Sequence, residues 1–94
     1  MFIVNLKYKK PLDEVDNYLE GHIAWLLQHF EQEDFIAAGR KVPRTGGVIL
    51  VKSMAKEQIE DILKQDPFQA IADYELIEVE FSRALGGFDN LISA

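Results

Sequence analysis

At the amino terminus Phe2, Val4, Leu6 and Tyr8 alternate with Ile3, Asn5 and Lys7, the two-residue period of a strand with one mainly apolar face. The period then lengthens. Leu12, Val15, Leu19, Ile23, Leu26 and Phe30 recur at three- and four-residue steps. Pro11 precedes them at a first-turn position, and Asp13 and Glu14 suit the positive end of a helix, so one long amphipathic helix is expected over about residues 11–31. Residues 35–42 and 47–52 read as two further strands, joined in a hairpin by Pro43-Arg44-Thr45-Gly46. Ser53 is placed to cap a second helix with Ile59, Ile62 and Leu63 on its apolar stripe, and Pro67 disfavours helical geometry at Asp66 and ends it there. Residues 74–81 are rich in β-formers and make a fourth strand.

The predicted order is βαββαβ, an α+β chain of ferredoxin-like type. Two helices cover only one face of a four-stranded sheet. Yet Val48-Ile49-Leu50-Val51 and Phe35-Ile36-Ala37-Ala38 are apolar at odd and even positions alike, so both faces of these strands call for burial. Sheet-on-sheet packing with a twofold mate, a homodimer, is the economical solution. The alternative is that the tail, residues 85–94, folds back over the open face. It carries Phe88, Leu91 and Ile92 behind a Gly86-Gly87 hinge.

Composition narrows the setting. The 94 residues make a single domain, too small to enclose a large cavity within one copy, so a site would be a shallow cleft or lie at an interface. The chain has no cysteine, which removes disulfides and thiolate metal sites and allows folding in the cytoplasm. No signal-peptide layout or membrane-length apolar run is present, so a soluble protein with no membrane partner is expected. Sixteen acidic against ten basic residues give a net charge of −6, which opposes the phosphate neutralisation that drives nucleic-acid binding.

Few residues carry chemistry. His22 lies at the edge of the apolar stripe of the first helix, with Tyr18, Trp25 and His29 along the same flank. It is either a partly buried histidine satisfied by a neighbour or a general acid/base. His29 falls about 10 Å from it along the axis, too far for the two to share one metal ion unaided, so no metal site is expected. Asp66 before Pro67-Phe68 either caps a helical turn or accepts a hydrogen bond from His22, fixing its tautomer. Arg40, Lys41 and Arg44 cluster beside the small residues Ala37-Ala38-Gly39. They form either a solvated surface or a hold for an anionic ligand. Gly46-Gly47 lacks the lysine and the strand-to-helix setting of a phosphate-binding loop, and neither a serine-centred elbow nor a dinucleotide fingerprint occurs.

Taken in order, His22-Ile23-Ala24-Trp25-Leu26, Ala38-Gly39, Pro43-Arg44-Thr45-Gly46-Gly47-Val48-Ile49-Leu50 and Asp66-Pro67-Phe68 make the chain resemble the YciI-like (YCII-related) family from the first strand to the fourth. The resemblance implies a dimeric α/β-barrel of ferredoxin-like subunits and an active site centred on a histidine and an aspartate, here His22 and Asp66. Activities attributed to relatives include elimination from a halogenated phenol. Many relatives place an arginine three residues before the histidine, where this chain has Leu19. Substrate anchoring would then pass to Arg40 or Arg44, with Gly39 and Trp25 as further candidate contacts.

Three functions compete. The first is an enzyme of lyase or hydrolase type, free of cofactor, that uses the His22/Asp66 pair on a small anionic or aromatic molecule. The second is a non-catalytic module that binds a metabolite or a protein partner. The third, RNA binding through the sheet, is opposed by charge and by the lack of an aromatic platform.

Overall fold

The computed structural model describes residues 1–94. Its elements are β1 (Phe2–Tyr8), α1 (Leu12–Asp16), α2 (Leu19–Glu31), β2 (Phe35–Arg40), β3 (Gly46–Val51), α3 (Lys56–Lys64) and β4 (Ala72–Glu78), with short 3-10 turns at Pro67–Ala70 and Asp89–Leu91. The strands form one antiparallel sheet in the order β2-β3-β1-β4. This is a small α+β architecture compatible with the ferredoxin-like arrangement. No helix is long and apolar enough to cross a membrane.

Register decides which residues face the helices. Val4 lies opposite Ile49 on one side and Leu76 on the other, and Leu6 opposite Gly47 and Tyr74. Because side chains alternate across a sheet, these positions share one face with Phe2 and Val51. That face is closed by Val15 of α1, Trp25 of α2, and Ile59, Ile62 and Leu63 of α3, which share the buried core with Phe35, Phe68 and Ile71. A side chain at Gly46 is not tolerated: a Cβ there would collide with the Leu6 carbonyl oxygen across the β1/β3 pair.

The expected first helix is interrupted. Asn17 and Tyr18 donate to the carbonyls of Glu14 and Val15, tighter bonds than those of an α-helix, and Tyr18 leaves helical geometry at φ −107° and ψ −1°. Asp16-Asn17 supplies the reason, since short polar side chains compete with helix propagation. Pro11, at ψ 155°, flanks α1 instead of entering it. Ser53 likewise stands outside α3, whose flanking residue is Ala55.

Strand limits follow their partners. β4 begins at Ala72 and ends at Glu78, paired with Tyr8 and Phe2 at the two ends of β1, and only Val79, bonded to the Met1 carbonyl, extends it. Residues 80 and 81, expected as strand, have no β1 residue left to pair with. β2 stops at Arg40 because Val42 is 96% exposed and Pro43 has no N–H to donate.

The face away from the helices carries Ile3, Val48 and Leu50, each half-buried, and Ile77, which is exposed. Leu85, Phe88 and Ile92 of the tail are exposed as well. The tail therefore does not bury its own apolar residues in this chain.

The Gly46 contact yields a stability test. Gly46→Ala forces β1 and β3 apart at their closest approach and is expected to cost about 3 kcal/mol or more, whereas Gly39→Ala, whose Cβ would meet nothing within 4 Å, stays within about 1 kcal/mol. Urea denaturation of the two variants measures the contrast.

Candidate active site

The chemistry gathers where α2, the Pro67–Ala70 turn and the sheet meet. α2 carries Gly21 beside His22, and a Cβ on Gly21 would stand 3.1 Å from Pro67 Cγ. The missing side chain lets the turn approach the helix. Asp66 flanks that turn in extended geometry, with Pro67 at its first position and its side chain accepting from the Phe68 N–H, the arrangement proline and aspartate favour at a helical start. The approach brings Asp66 Oδ1 to 2.8 Å from His22 Nδ1.

Asp66 is 2% exposed, and burial of an ionised carboxylate is costly unless its oxygens are occupied. They are. Oδ1 also accepts from the Phe68 N–H at 3.0 Å, and Oδ2 accepts from the Tyr74 hydroxyl at 2.6 Å. With Asp66 an acceptor, His22 carries its proton on Nδ1, which leaves the Nε2 lone pair as its free valence. The Phe68 ring lies flat against the imidazole, centroids 3.8 Å apart and 4° from parallel.

His22 lines a cleft of about 170 Å³. Leu19, Ile23 and Leu26 of α2, the backbone of Gly46 and Gly47, and Tyr8 and Phe68 form its walls. Tyr8 and Phe68 meet edge to face at 5.9 Å. Arg40 and Gly39 line the same cleft, and no carboxylate engages Arg40.

Of the residues singled out from the sequence, His22, Gly39 and Arg40 therefore share the cleft, and Asp66 stands directly behind His22. Arg44 and Trp25 are not in the lining. Arg44 Nη2 donates to Asp16 Oδ1 at 2.8 Å, which raises its already high pKa, and its guanidinium stands 6.0 Å over the Tyr8 ring. Trp25 is buried, donates from Nε1 to the Ile62 carbonyl at 3.1 Å and ties α2 to α3. His29 forms a second pair, Nδ1 2.9 Å from Asp34 Oδ2, away from the cleft. Tyr74 was not visible from the sequence as a site residue. Its one signal was a polar aromatic in an otherwise apolar inward position of the fourth strand.

This is a small α+β protein with a histidine–carboxylate pair opening onto an apolar cleft that holds one free cation. The chain belongs to the YCII-related domain family, whose model matches residues 1–81. Among solved structures it is similar to 5-chloro-2-hydroxyhydroquinone dehydrochlorinase (TftG) from Burkholderia phenoliruptrix AC1100, in complex with 2,5-dihydroxybenzoquinone. The TM-score is 0.66 at 15% identity, covering 87% of this chain and 96% of that one, which is a likeness of fold. No curated protein sequence matches the chain.

Burial first, then the hydrogen bond to Asp66, push the Tyr74 phenol well above its ordinary value of 10.0. The folded chain therefore retains a proton that the unfolded chain releases above about pH 10, and linkage requires stability to fall as pH rises beyond that point. Below it the contribution is intact. Chemical denaturation between pH 8 and 11 is expected to show this alkaline loss in the native chain and a flatter profile in Tyr74→Phe.

Proposed function

We propose that the protein is an enzyme that moves a proton on a small, ring-sized anionic molecule, with His22 as the acid/base, Asp66 as its orienting partner and Arg40 as the anchor of the negative charge. The observation that carries this reading is the 2.8 Å contact of His22 Nδ1 with a buried carboxylate, in a residue whose ring also lines a cleft. A histidine so oriented contributes roughly 10²–10⁴-fold by proton transfer alone.

The cleft supports the choice of substrate. About 170 Å³ suits a single substituted ring, the lining is mostly apolar, and its one cation favours one anionic group. In a lyase reaction of this kind, Nε2 takes a proton from the substrate and the freed electron pair forms a new double bond. The leaving group departs with its own bonding pair. The imidazolium that results is stabilised by Asp66. The similar dehydrochlorinase, with its dihydroxybenzoquinone, is in keeping with such chemistry. Arg44, neutralised by Asp16 over the Tyr8 ring, leaves the anchoring to Arg40, and Trp25 holds the helix that carries His22.

A second copy of the chain completes the molecule in this reading. Ile3, Val48, Leu50 and Ile77 leave an apolar strip on the outer face of the sheet, and a mate packed there would bury it. A cytoplasmic location belongs to the same proposal, because a chain without cysteine folds without an oxidant.

Two measurements test the proposal. Against a panel of halogenated and hydroxylated phenols and small aromatic acids, His22→Ala is expected to lower kcat by at least about 10²-fold with KM little changed, while Arg40→Gln mainly raises KM for anionic members. Binding that survives His22→Ala, with no turnover of any compound by the native chain, would favour the metabolite-binding module instead. Sedimentation equilibrium at micromolar concentration is expected to give a dimer, and Leu50→Asp a monomer or an unfolded chain; a native chain that is monomeric and folded refutes the mate.

A further inference from the structure

We infer that Tyr74 is a positioning residue of the His22–Asp66 pair: its hydroxyl, bonded to the second oxygen of the carboxylate, sets how strongly the imidazole holds a proton on its cleft side. The inference extends the acid/base reading of His22, and its test needs no turnover.

The argument begins with β4. Tyr74 lies opposite Leu6 in the register, so it projects from the helix-side face of the sheet, where Leu6 is buried. A one-residue slip would turn it to the other face. From that position its hydroxyl meets Asp66 Oδ2 at 2.6 Å, the shortest hydrogen bond that this carboxylate makes. The other oxygen, Oδ1, already serves two donors, His22 Nδ1 and the Phe68 N–H. Three elements therefore fix one carboxylate: α2 through His22, the Pro67–Ala70 turn through Phe68, and β4 through Tyr74.

The division of donors has a chemical consequence. A carboxylate shares its charge between two oxygens, and a strong donor on one reduces what the other offers to its own partner. Tyr74 draws charge toward Oδ2 and so moderates the pull of Oδ1 on the imidazole proton. It also prevents the carboxylate from turning about its last bond, which would take Oδ1 out of line with Nδ1. Other polar groups do not substitute for it. Around His22 the cleft offers only Arg40 and Tyr8. Beyond the Tyr74 ring lies an open groove with Lys9, Glu60, Lys64 and Asp73, where Lys9 pairs with Asp73 at 3.8 Å. None of these is bonded to Asp66.

The readout is the NMR titration of His22 with ¹⁵N in its ring, which reports tautomer and protonation together. In Tyr74→Phe the charge returns to Oδ1, and the titration of His22 is expected to move to higher pH. In Asp66→Asn it is expected to move the opposite way, because the charge itself is gone. Site-specific replacement of Tyr74 by 3-fluorotyrosine keeps the shape and strengthens the donor. It should shift the curve to lower pH, and it serves where Tyr74→Phe fails to fold. Opposite shifts from the weaker and the stronger donor establish the role. No shift in a folded Tyr74→Phe or in the fluorotyrosine protein, or shifts of the same sign, overturns it. If the curve still responds to Asp66→Asn, only the part assigned to Tyr74 is lost and the His22–Asp66 pair stands.

Discussion

One buried carboxylate ties the helix layer to the sheet. Asp66 is almost fully enclosed, and an isolated charge in such a place would cost several kcal/mol. It is tolerated because three donors from three elements converge on it, and hydrogen bonds to a charged group are worth roughly 1.5–3 kcal/mol each. The dependence runs both ways. The donors are held in place by the charge, so the turn after α3, the first turn of α2 and the start of β4 are registered against one another through a single side chain. That registration also aims the imidazole at the cleft.

Close backbone approach makes the convergence possible. Gly21, in the first turn of α2, lets Pro67 come within van der Waals reach of the helix. Gly46 does the same between β1 and β3, at the floor of the cleft. Gly21 adjoins His22 in the chain, and the Gly46 backbone forms part of the cleft wall. Their contribution is distance: one sets how near His22 comes to Asp66, the other how near Leu6 comes to the strand that bears Gly47 and Val48.

The strands were legible to within about three residues, β1 from its two-residue period, β2 and β3 as apolar runs joined by a turn, and β4 from its β-forming residues. Their ends were not, since β4 stops where β1 runs out, a property of the partner strand. The first helix was legible as apolar periodicity, but that periodicity passes unbroken through Asn17-Tyr18, where the backbone does not. His22, Asp66, Gly39 and Arg40 were legible as residue types, and the bond between the first two was one of two readings of Asp66, the one the resemblance favoured. Tyr74 was not, because a tyrosine inside a strand reads as packing, and its meaning lies in a partner eight residues earlier in the chain on another element. Trp25 and Arg44 were named as contacts from their neighbourhood in sequence, whereas helical rotation carries Trp25 to Ile62 and the hairpin delivers Arg44 to Asp16.

The two histidines bond to carboxylates alike but stand in different places. His29 and Asp34 are five residues apart and close the end of α2: the Asp34 N–H returns to the His29 carbonyl and the Glu33 N–H to that of Phe30, with Glu33 at φ 61°. This is the Schellman geometry, in which an apolar contact commonly joins the two positions that the His29–Asp34 bond joins here. His29 Nε2 is buried without a partner, packed near Trp25 and Phe35. A base in that position has no route to a substrate. His22 makes the same bond to a carboxylate but reaches 44 residues along the chain to do so, and its partner is anchored by the sheet and a turn instead of by its own helix end. The longer reach places the ring across the boundary between core and cleft. The local pair finishes a helix, while the distant pair joins layers and opens onto the space where a ligand would lie.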